Sequence, residues 1–329
     1  MINKEMHLRD DLFLGKEKAP TRDGFGKGSV EAGKADSRVV VISADLAEST
    51  RADKFQKAFP DRFIDIGVAE QNMATVAAGM AGYGKIPFIT SYATFSPGRN
   101  WEQIRTTIAI NNVPVKICGS HAGLLTGPDG ATHQALEDLA LMRALPNMIV
   151  ISPCDAEEAR KATVAAAVTG TPVYLRFGRD KTPLMTTADT PFEIGRAQIF
   201  WRSEKPNVAI FATGPLLHNA LLAARELEGK GIGTAVVNVH TIKPLDKETI
   251  VSLAREAGAA VTVEEHQVTG GLGGAIAELL AEECPMPIEF VGVKDQFGQS
   301  GDPKELFEHY GLGVPHIVAA TKKVIGRKL

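Results

Sequence analysis

The chain has 329 residues, 44% hydrophobic and 23% charged, with a formal net charge of −3. That is ordinary for a water-soluble globular protein and too long for one typical core, so two domains are expected. The charge balance gives no general reason to expect nucleic acid or an anionic membrane as partner. No run approaches the roughly 18 apolar residues that would span a bilayer, and the start, MINKEMHLRDD, lacks the apolar core of a signal peptide. Cys118, Cys154 and Cys284 are odd in number and far apart. They argue against a disulfide framework and against CxxC-type zinc sites, suit a reducing cytoplasm, and read as small buried hydrophobes.

Residues 1–20 are polar and mixed in charge, an arm expected to order only against another surface. TRDGFGKGSVEAGKAD reads as a short helix weakened by its glycines. RVVVISAD (Arg38 to Asp45) is a β-branched apolar run ending in a polar loop, the way a buried parallel strand delivers residues to the carboxyl edge of a sheet. The loop DLAESTRADKF follows, then strand FIDI. From Glu70 a helix begins in which Ala74, Ala77, Ala78 and Ala81 recur at helical spacing. The alternation continues through strand IPFIT, loop SYATFSPGRN, helix WEQIRTTIAINN, strand VPVKICG, loop SHAGLLTGPDGATHQ, helix ALEDLALMRAL, strand MIVISP, helix AEEARKATVAAAV and strand PVYLRF. This pattern predicts an α/β domain built on a mostly parallel sheet.

Composition shifts at Asp180 to Phe192, DKTPLMTTADTPF, whose Thr and Pro content marks a linker. A second, smaller alternation follows: strands NVAIFATG, TAVVNVH, AAVTVEE and IEFVGV, with helices LLHNALLAARELEGKG, KETIVSLAREAG and GAIAELLAEE. The expected organisation is an arm (1–20), one α/β domain (21–185) and another (186–329), each a mostly parallel sheet flanked by helices in three layers.

Several residues stand where chemistry is usually placed. Glu70 falls at a strand-to-helix junction; it is either an acid favoured by the helix dipole or a side chain facing a cleft. The glycine-rich loop SHAGLLTGPDGATHQ sets His121, Asp129 and His133 on one carboxyl edge, without a third His or Cys at metal-ligand spacing. Tyr92, Phe95 and Trp101 either complete a core or form a stacking wall for a heteroaromatic ring. Arg22, Arg176 and Arg179 are candidate anion ligands, or plain surface charges. In EEHQVTGGLGGAIAE the glycines before a helix read as a tight turn and packing contact rather than an anion site.

Together, DIGVAEQNMATVAAGMAGYG, YATF and GPDGATHQALEDLALMRALPNMIVISPCDAEEA resemble the carboxy-terminal half of transketolase, and the likeness runs from about Thr21 to the end. GxxEQ, GPDGxTHQ and RxLPNxxVxxPxD in combination are specific to the transketolase and deoxyxylulose-phosphate synthase group. The resemblance implies a pyrimidine-binding domain over 21–185, a transketolase carboxy-terminal domain over 186–329, and thiamine diphosphate as cofactor, its pyrimidine end bound here. Full-length members carry an amino-terminal domain whose GDG…N signature holds Mg2+ and the diphosphate, and no GDG occurs in this sequence. The resemblance therefore implies a partner chain that supplies those ligands, no metal ligand in this chain, an α2β2 heterotetramer, and inactivity alone.

By the same resemblance Glu70 contacts the pyrimidine ring, Phe95 stacks on it, Tyr92 and Trp101 complete the wall, and Asp45 lies near the cofactor. His121, Asp129 and His133 match substrate-channel residues, the histidines able to assist proton transfer. Arg22, Ser49 and Arg176 match the group that holds the terminal phosphate, with Arg179 competing with Arg176. Full-length members usually carry a second phenylalanine three positions past Phe95, where this chain has Gly98. The implied reaction moves a two-carbon ketol unit from a ketose phosphate such as xylulose 5-phosphate to an aldose phosphate such as ribose 5-phosphate, a cytoplasmic step of the pentose phosphate pathway. Rival readings are a deoxyxylulose-phosphate synthase, a 2-oxoacid dehydrogenase β subunit, and a transketolase for an unusual phosphorylated or sulfonated ketose. A non-catalytic scaffold homologue would be expected to have lost Glu70 or the channel histidines, and all are present.

Overall fold

The run Val39–Ser43 is buried at every position, as expected of a strand covered on both faces. In the computed structural model, which describes residues 1–328, it lies inside a seven-stranded sheet. From one edge to the other the strands are Thr241–Lys243, Ile149–Ile151, Val173–Arg176, Lys116–Ser120, Ile86–Tyr92, Val39–Ser43 and Phe63–Asp65. All neighbours run parallel except Thr241–Lys243, which comes from the second half of the chain and pairs antiparallel to Ile149–Ile151. Three residues are too few to carry a period, so this strand was not legible in the sequence. The second sheet has the order Ile288–Val293, Ala260–Gln267, Val208–Ala212, Thr234–Asn238, Gln198–Arg202. Its last strand, also absent from the sequence reading, is the antiparallel edge.

Helices cover both faces of the first sheet. Thr21–Ala35 keeps its helix despite its glycines because they meet the neighbouring helix Ala156–Ala167 at very close range. A Cβ on Gly24 would stand 2.1 Å from the Ala156 carbonyl oxygen, and one on Gly28 2.7 Å from that of Arg160. Packing thus overrides propensity there. On the opposite face one apolar cluster runs without a break from Met73, Ala77 and Leu139 to Ile250 and Leu279 of the second domain, so the two sheets share a core.

The arm does order against another surface, and that surface is the second domain. Leu12 is buried, Ile2 bridges to Trp201, and Phe13 meets Trp201 edge-on at 6.1 Å. The Thr- and Pro-rich connection is pinned as well. Thr182–Pro183 pairs with Lys18–Ala19, and the Asp155 carboxylate accepts from the Met185 and Thr186 amides at 2.7 Å each. Within DLAESTRADKF, read as loop, the turns Ala47–Thr50 and Asp53–Ala58 are helical and Phe55 is buried. WEQIRTTIAINN winds as one α turn and then a π-helical stretch, Ile104–Ala109. Two further helices, Pro303–His309 and Val314–Ile325, complete the second domain. Among the described residues, no helix is long and apolar enough to cross a membrane.

One buried ion pair sits at the seam. Arg176 Nε donates to Asp138 Oδ2 at 2.8 Å and Arg176 Nη2 to the Glu265 carbonyl at 2.9 Å, while the Tyr174 hydroxyl donates to the same Asp138 oxygen at 2.6 Å. Glu265 also receives the Leu125 amide at 2.7 Å, which fixes the His121 loop against the second domain. Removing one partner of a buried pair strands the other charge. Arg176→Ala is expected to cost about 3–5 kcal/mol in urea unfolding; a loss below about 1 kcal/mol, the range of exposed pairs, would contradict this role.

Candidate active site

The carboxyl ends of Val39–Ser43, Ile86–Tyr92, Lys116–Ser120 and Val173–Arg176 lie along one edge of the parallel sheet, where α/β folds place ligands. Glu70 opens the helix Glu70–Gly82 beside that edge and is 2% exposed, unlike a solvated helix-start acid. A carboxylate so buried needs donors. Arg99 Nη1 donates to Oε2 at 2.6 Å and Ser91 Oγ to Oε1 at 3.3 Å, while Asn100 Nδ2 holds the Glu70 carbonyl at 3.0 Å. Arg99 lies one helical turn beyond Phe95, its amide donating to the Phe95 carbonyl, and its guanidinium sits 4.6 Å from the Phe95 ring centre. The sequence reading passed over Arg99, Ser91 and Asn100; the four-residue spacing from Phe95 to Arg99 was the available signal. A Cβ on Gly98 would stand 2.0 Å from the Thr94 carbonyl oxygen, so this backbone admits no side chain there.

The aromatic residues gather around a second group. Tyr92 stacks on the His121 ring at 3.7 Å and lies near-parallel to Phe95 at 6.0 Å, and His133 stands edge-on to both, at 6.0 and 5.5 Å. Trp101 does not join them, a correction to the sequence expectation. Its indole donates to the Leu141 carbonyl at 3.0 Å and packs on the shared core, which is where its apolar area is better buried.

His121 is held tightly. Arg22 Nη1, which can only donate, lies 3.3 Å from His121 Nε2, so that nitrogen accepts. The ring proton is therefore on Nδ1, 3.0 Å from Ser120 Oγ. Burial, then the charges of Arg22 and Arg179, push the imidazole down to about 3, so it is neutral at neutral pH. His133 is more open, with Nδ1 2.8 Å from Thr132 Oγ1.

Next to this group is a cleft of about 400 Å³ lined by Arg22, Arg51, Arg179, Lys181, Leu125 and Asp302 among others. Arg22 Nη1 donates to the Ser49 carbonyl at 2.6 Å, and its Nε is buried with no partner. Arg51 pairs with Asp23 at 2.6 Å. Arg179 donates to the Thr126 carbonyl at 2.8 Å and lies 3.6 Å from Asp129, placing Asp129 on the same rim. Arg51 and Lys181 were not singled out from the sequence; their adjacency to Ser49 and Arg179 was the only cue. Arg176 is the second correction: the Asp138 and Glu265 contacts hold it inside the seam, so Arg179, not Arg176, borders the cleft. Asp45 is exposed just past the carboxyl end of Val39–Ser43, in a left-handed conformation (φ 59°), its amide donating to Asp65 at 3.2 Å.

Two other sequence readings concern sites elsewhere. The N-terminus of Leu272–Glu283 is occupied by Glu264, whose carboxylate accepts from the Leu272 and Gly273 amides at 2.7 and 2.8 Å. Cys118 and Cys154 are buried free thiols, and Cys284 is half-buried. Among the described residues no group of three His, Cys, Asp or Glu side chains could hold a metal ion.

The family model described as Transketolase, pyrimidine binding domain matches residues 17–185, and that described as Transketolase, C-terminal domain matches residues 196–317. The chain belongs to the transketolase family. It is 40% identical over 307 residues to the 6-deoxy-6-sulfo-D-fructose transketolase subunit SqwH of Clostridium sp. (strain MSTE9), covering 93% of this chain and 95% of that one. A solved chain described as split gene transketolase, inactive beta4 tetramer, is 46% identical and superposes with a TM-score of 0.88, over 94% of this chain and 99% of that chain. Transketolase-like protein 2 of Mus musculus is 38% identical over 327 residues, 99% of this chain but only 52% of that protein. This transketolase-family chain thus spans nearly all of the SqwH subunit and of the split-gene chain, and about half of the longer protein.

Because the folded His121 sits below its unfolded value of about 6.5, its contribution to stability is complete above that value and lost as pH falls towards about 3. His121→Asn is expected to lose about 1–2 kcal/mol less stability than the parent between about pH 7 and about pH 5, read by denaturant unfolding. Equal losses in both would show that His121 is not held neutral.

Proposed function

We propose that this chain is the pyrimidine-binding half of a two-chain transketolase that moves a two-carbon ketol unit from a ketose phosphate, such as xylulose 5-phosphate, to an aldose phosphate, such as ribose 5-phosphate. The observation that carries the reading is the buried Glu70 carboxylate, joined to the Phe95 ring by one guanidinium, that of Arg99, which touches both. The residues fit an aminopyrimidine: one acceptor for a ring N–H and an aromatic face for a flat ring. When bound, thiamine diphosphate supplies a thiazolium carbon that adds to the ketose carbonyl and carries the ketol unit. Glu70 would orient the ring and fix its tautomer, with Ser91 and Asn100 holding Glu70 in place. Phe95 would stack on the ring, Tyr92 would back it, and Asp45 would lie near the cofactor.

Neutral His121 has its Nδ1 proton committed to Ser120 and its Nε2 accepting, so it would accept a proton or hydrogen bond from a substrate hydroxyl if Arg22 yields. His133, on the open side, would exchange protons with the sugar, and Asp129 would accept from a hydroxyl. The anion of the substrate would enter the cationic cleft and be met by Arg22 and Arg179, with Arg51 and Lys181 in the same lining and Ser49 held by Arg22. Mg2+ and the diphosphate would be held by an amino-terminal partner chain carrying GDG…N, in an α2β2 assembly in the cytoplasm. The split-gene relative described as an inactive beta4 tetramer supports dependence on a second chain.

A second reading concerns the donor. The SqwH relative is described as acting on 6-deoxy-6-sulfo-D-fructose, and a cluster of cations accepts a sulfonate as well as a phosphate. Co-expressed with its diphosphate-binding chain, the complex is to be assayed with xylulose 5-phosphate, 6-deoxy-6-sulfofructose and pyruvate as donors. Ketol transfer from either sugar supports transketolase chemistry and chooses between the donors; turnover of pyruvate alone overturns it. Glu70→Gln is expected to lower turnover on the order of 10²–10⁴-fold, and near-normal turnover would remove Glu70 from the mechanism.

A further inference from the structure

Arg99 has no assigned part in the chemistry above, yet its position is the most specific in the site. Its guanidinium makes two contacts: Nη1 to Glu70 Oε2 at 2.6 Å, and a face 4.6 Å from the Phe95 ring centre. Those are the two contacts an aminopyrimidine needs, a donor to Glu70 and a flat face on Phe95. The guanidinium thus already engages both the carboxylate and the ring that an aminopyrimidine would use.

We propose that Arg99 competes with the cofactor's pyrimidine ring for Glu70 and Phe95, and that the ring enters only when the Arg99 side chain swings into solvent. The inference rests on the cofactor reading given above. The two partners differ in freedom. The Glu70 side chain is 2% exposed and cannot leave, whereas that of Arg99 is 45% exposed. Among the described residues Glu70 is the only side-chain or backbone acceptor that the Arg99 guanidinium reaches. The backbone beneath it is fixed separately, by the Arg99 amide on the Phe95 carbonyl and by Asn100 on the Glu70 carbonyl. The side chain can therefore depart without unwinding the turn. Gly98 contributes room, since the backbone admits no side chain at the neighbouring position to fence the guanidinium in. While Arg99 is in place Glu70 keeps a charged donor, so the buried carboxylate is satisfied whether the ring or the guanidinium is its partner.

The test uses the complex of this chain with its diphosphate-binding partner, with thiamine diphosphate and Mg2+ as probe, and binding kinetics followed by stopped-flow protein fluorescence. Arg99→Ala is expected to raise the association rate constant about three- to tenfold, the size of a half-exposed ion pair plus a stacked guanidinium, and to leave the dissociation rate near the parent's. Arg99→Lys, which keeps the charge but not the flat face, is expected to fall between. An unchanged or slower association, or a faster dissociation, in Arg99→Ala would overturn the proposal and make Arg99 a support of the site. A parent complex with no saturable cofactor binding would overturn the cofactor reading itself, and this inference with it.

Discussion

A carboxylate with almost no access to water has to be given hydrogen-bond donors, and that requirement organises this molecule around Glu70. The side chain is placed by a strand that ends at Asp65 and a helix that begins at Glu70 itself, and it is met by groups from the next strand and the turn after it. Ser91 comes from the strand, Arg99 and Asn100 from the turn. Phe95 comes from the same turn, so two donors that hold the acceptor and the flat wall are built by one stretch of chain. That is why a likeness to a pyrimidine-binding domain has physical content: the residues provide an acceptor and a face, and little else.

The edge loops reach the same place because the two domains share a core and a strand. Thr241–Lys243 extends the first sheet from the second half of the chain, and the apolar cluster passes from one domain into the other. Arg176 then ties Asp138 of the first domain to the Glu265 backbone of the second, while the Glu265 side chain takes the Leu125 amide in the His121 loop. Charges inside the seam position the loop; Arg22, Arg51, Arg179 and Lys181 lie outside it and line the cleft. Burial separates the two sets: Arg176 is 5% exposed.

The main strands were legible because parallel strands buried on both faces read as continuous apolar runs, RVVVIS, VKICG and VAIFA among them. Short or edge strands carry no such run, which hid Gln198–Arg202 and Thr241–Lys243. The site was legible as residue types at the ends of strands. Tyr92, Phe95, His121 and His133 do converge, and Arg22 and Arg179 do border one cleft. Side-chain direction was not legible. Arg176 ends the strand that Arg179 follows, and only burial tells which faces the cleft. Trp101 has the right spacing and the wrong neighbours, because the carbonyl of Leu141, forty residues on, takes its indole N–H. Arg99 was missed because a lone arginine in a loop reads as a surface charge until Glu70 is seen beneath it.

On the function proposed above, this chain holds the pyrimidine end of a cofactor whose diphosphate end belongs to another chain. Titrating thiamine diphosphate with Mg2+ by calorimetry into this chain alone, and then into its complex with the amino-terminal partner, tests that directly. Saturable binding is expected only in the complex. Tight, stoichiometric binding by this chain alone would contradict it.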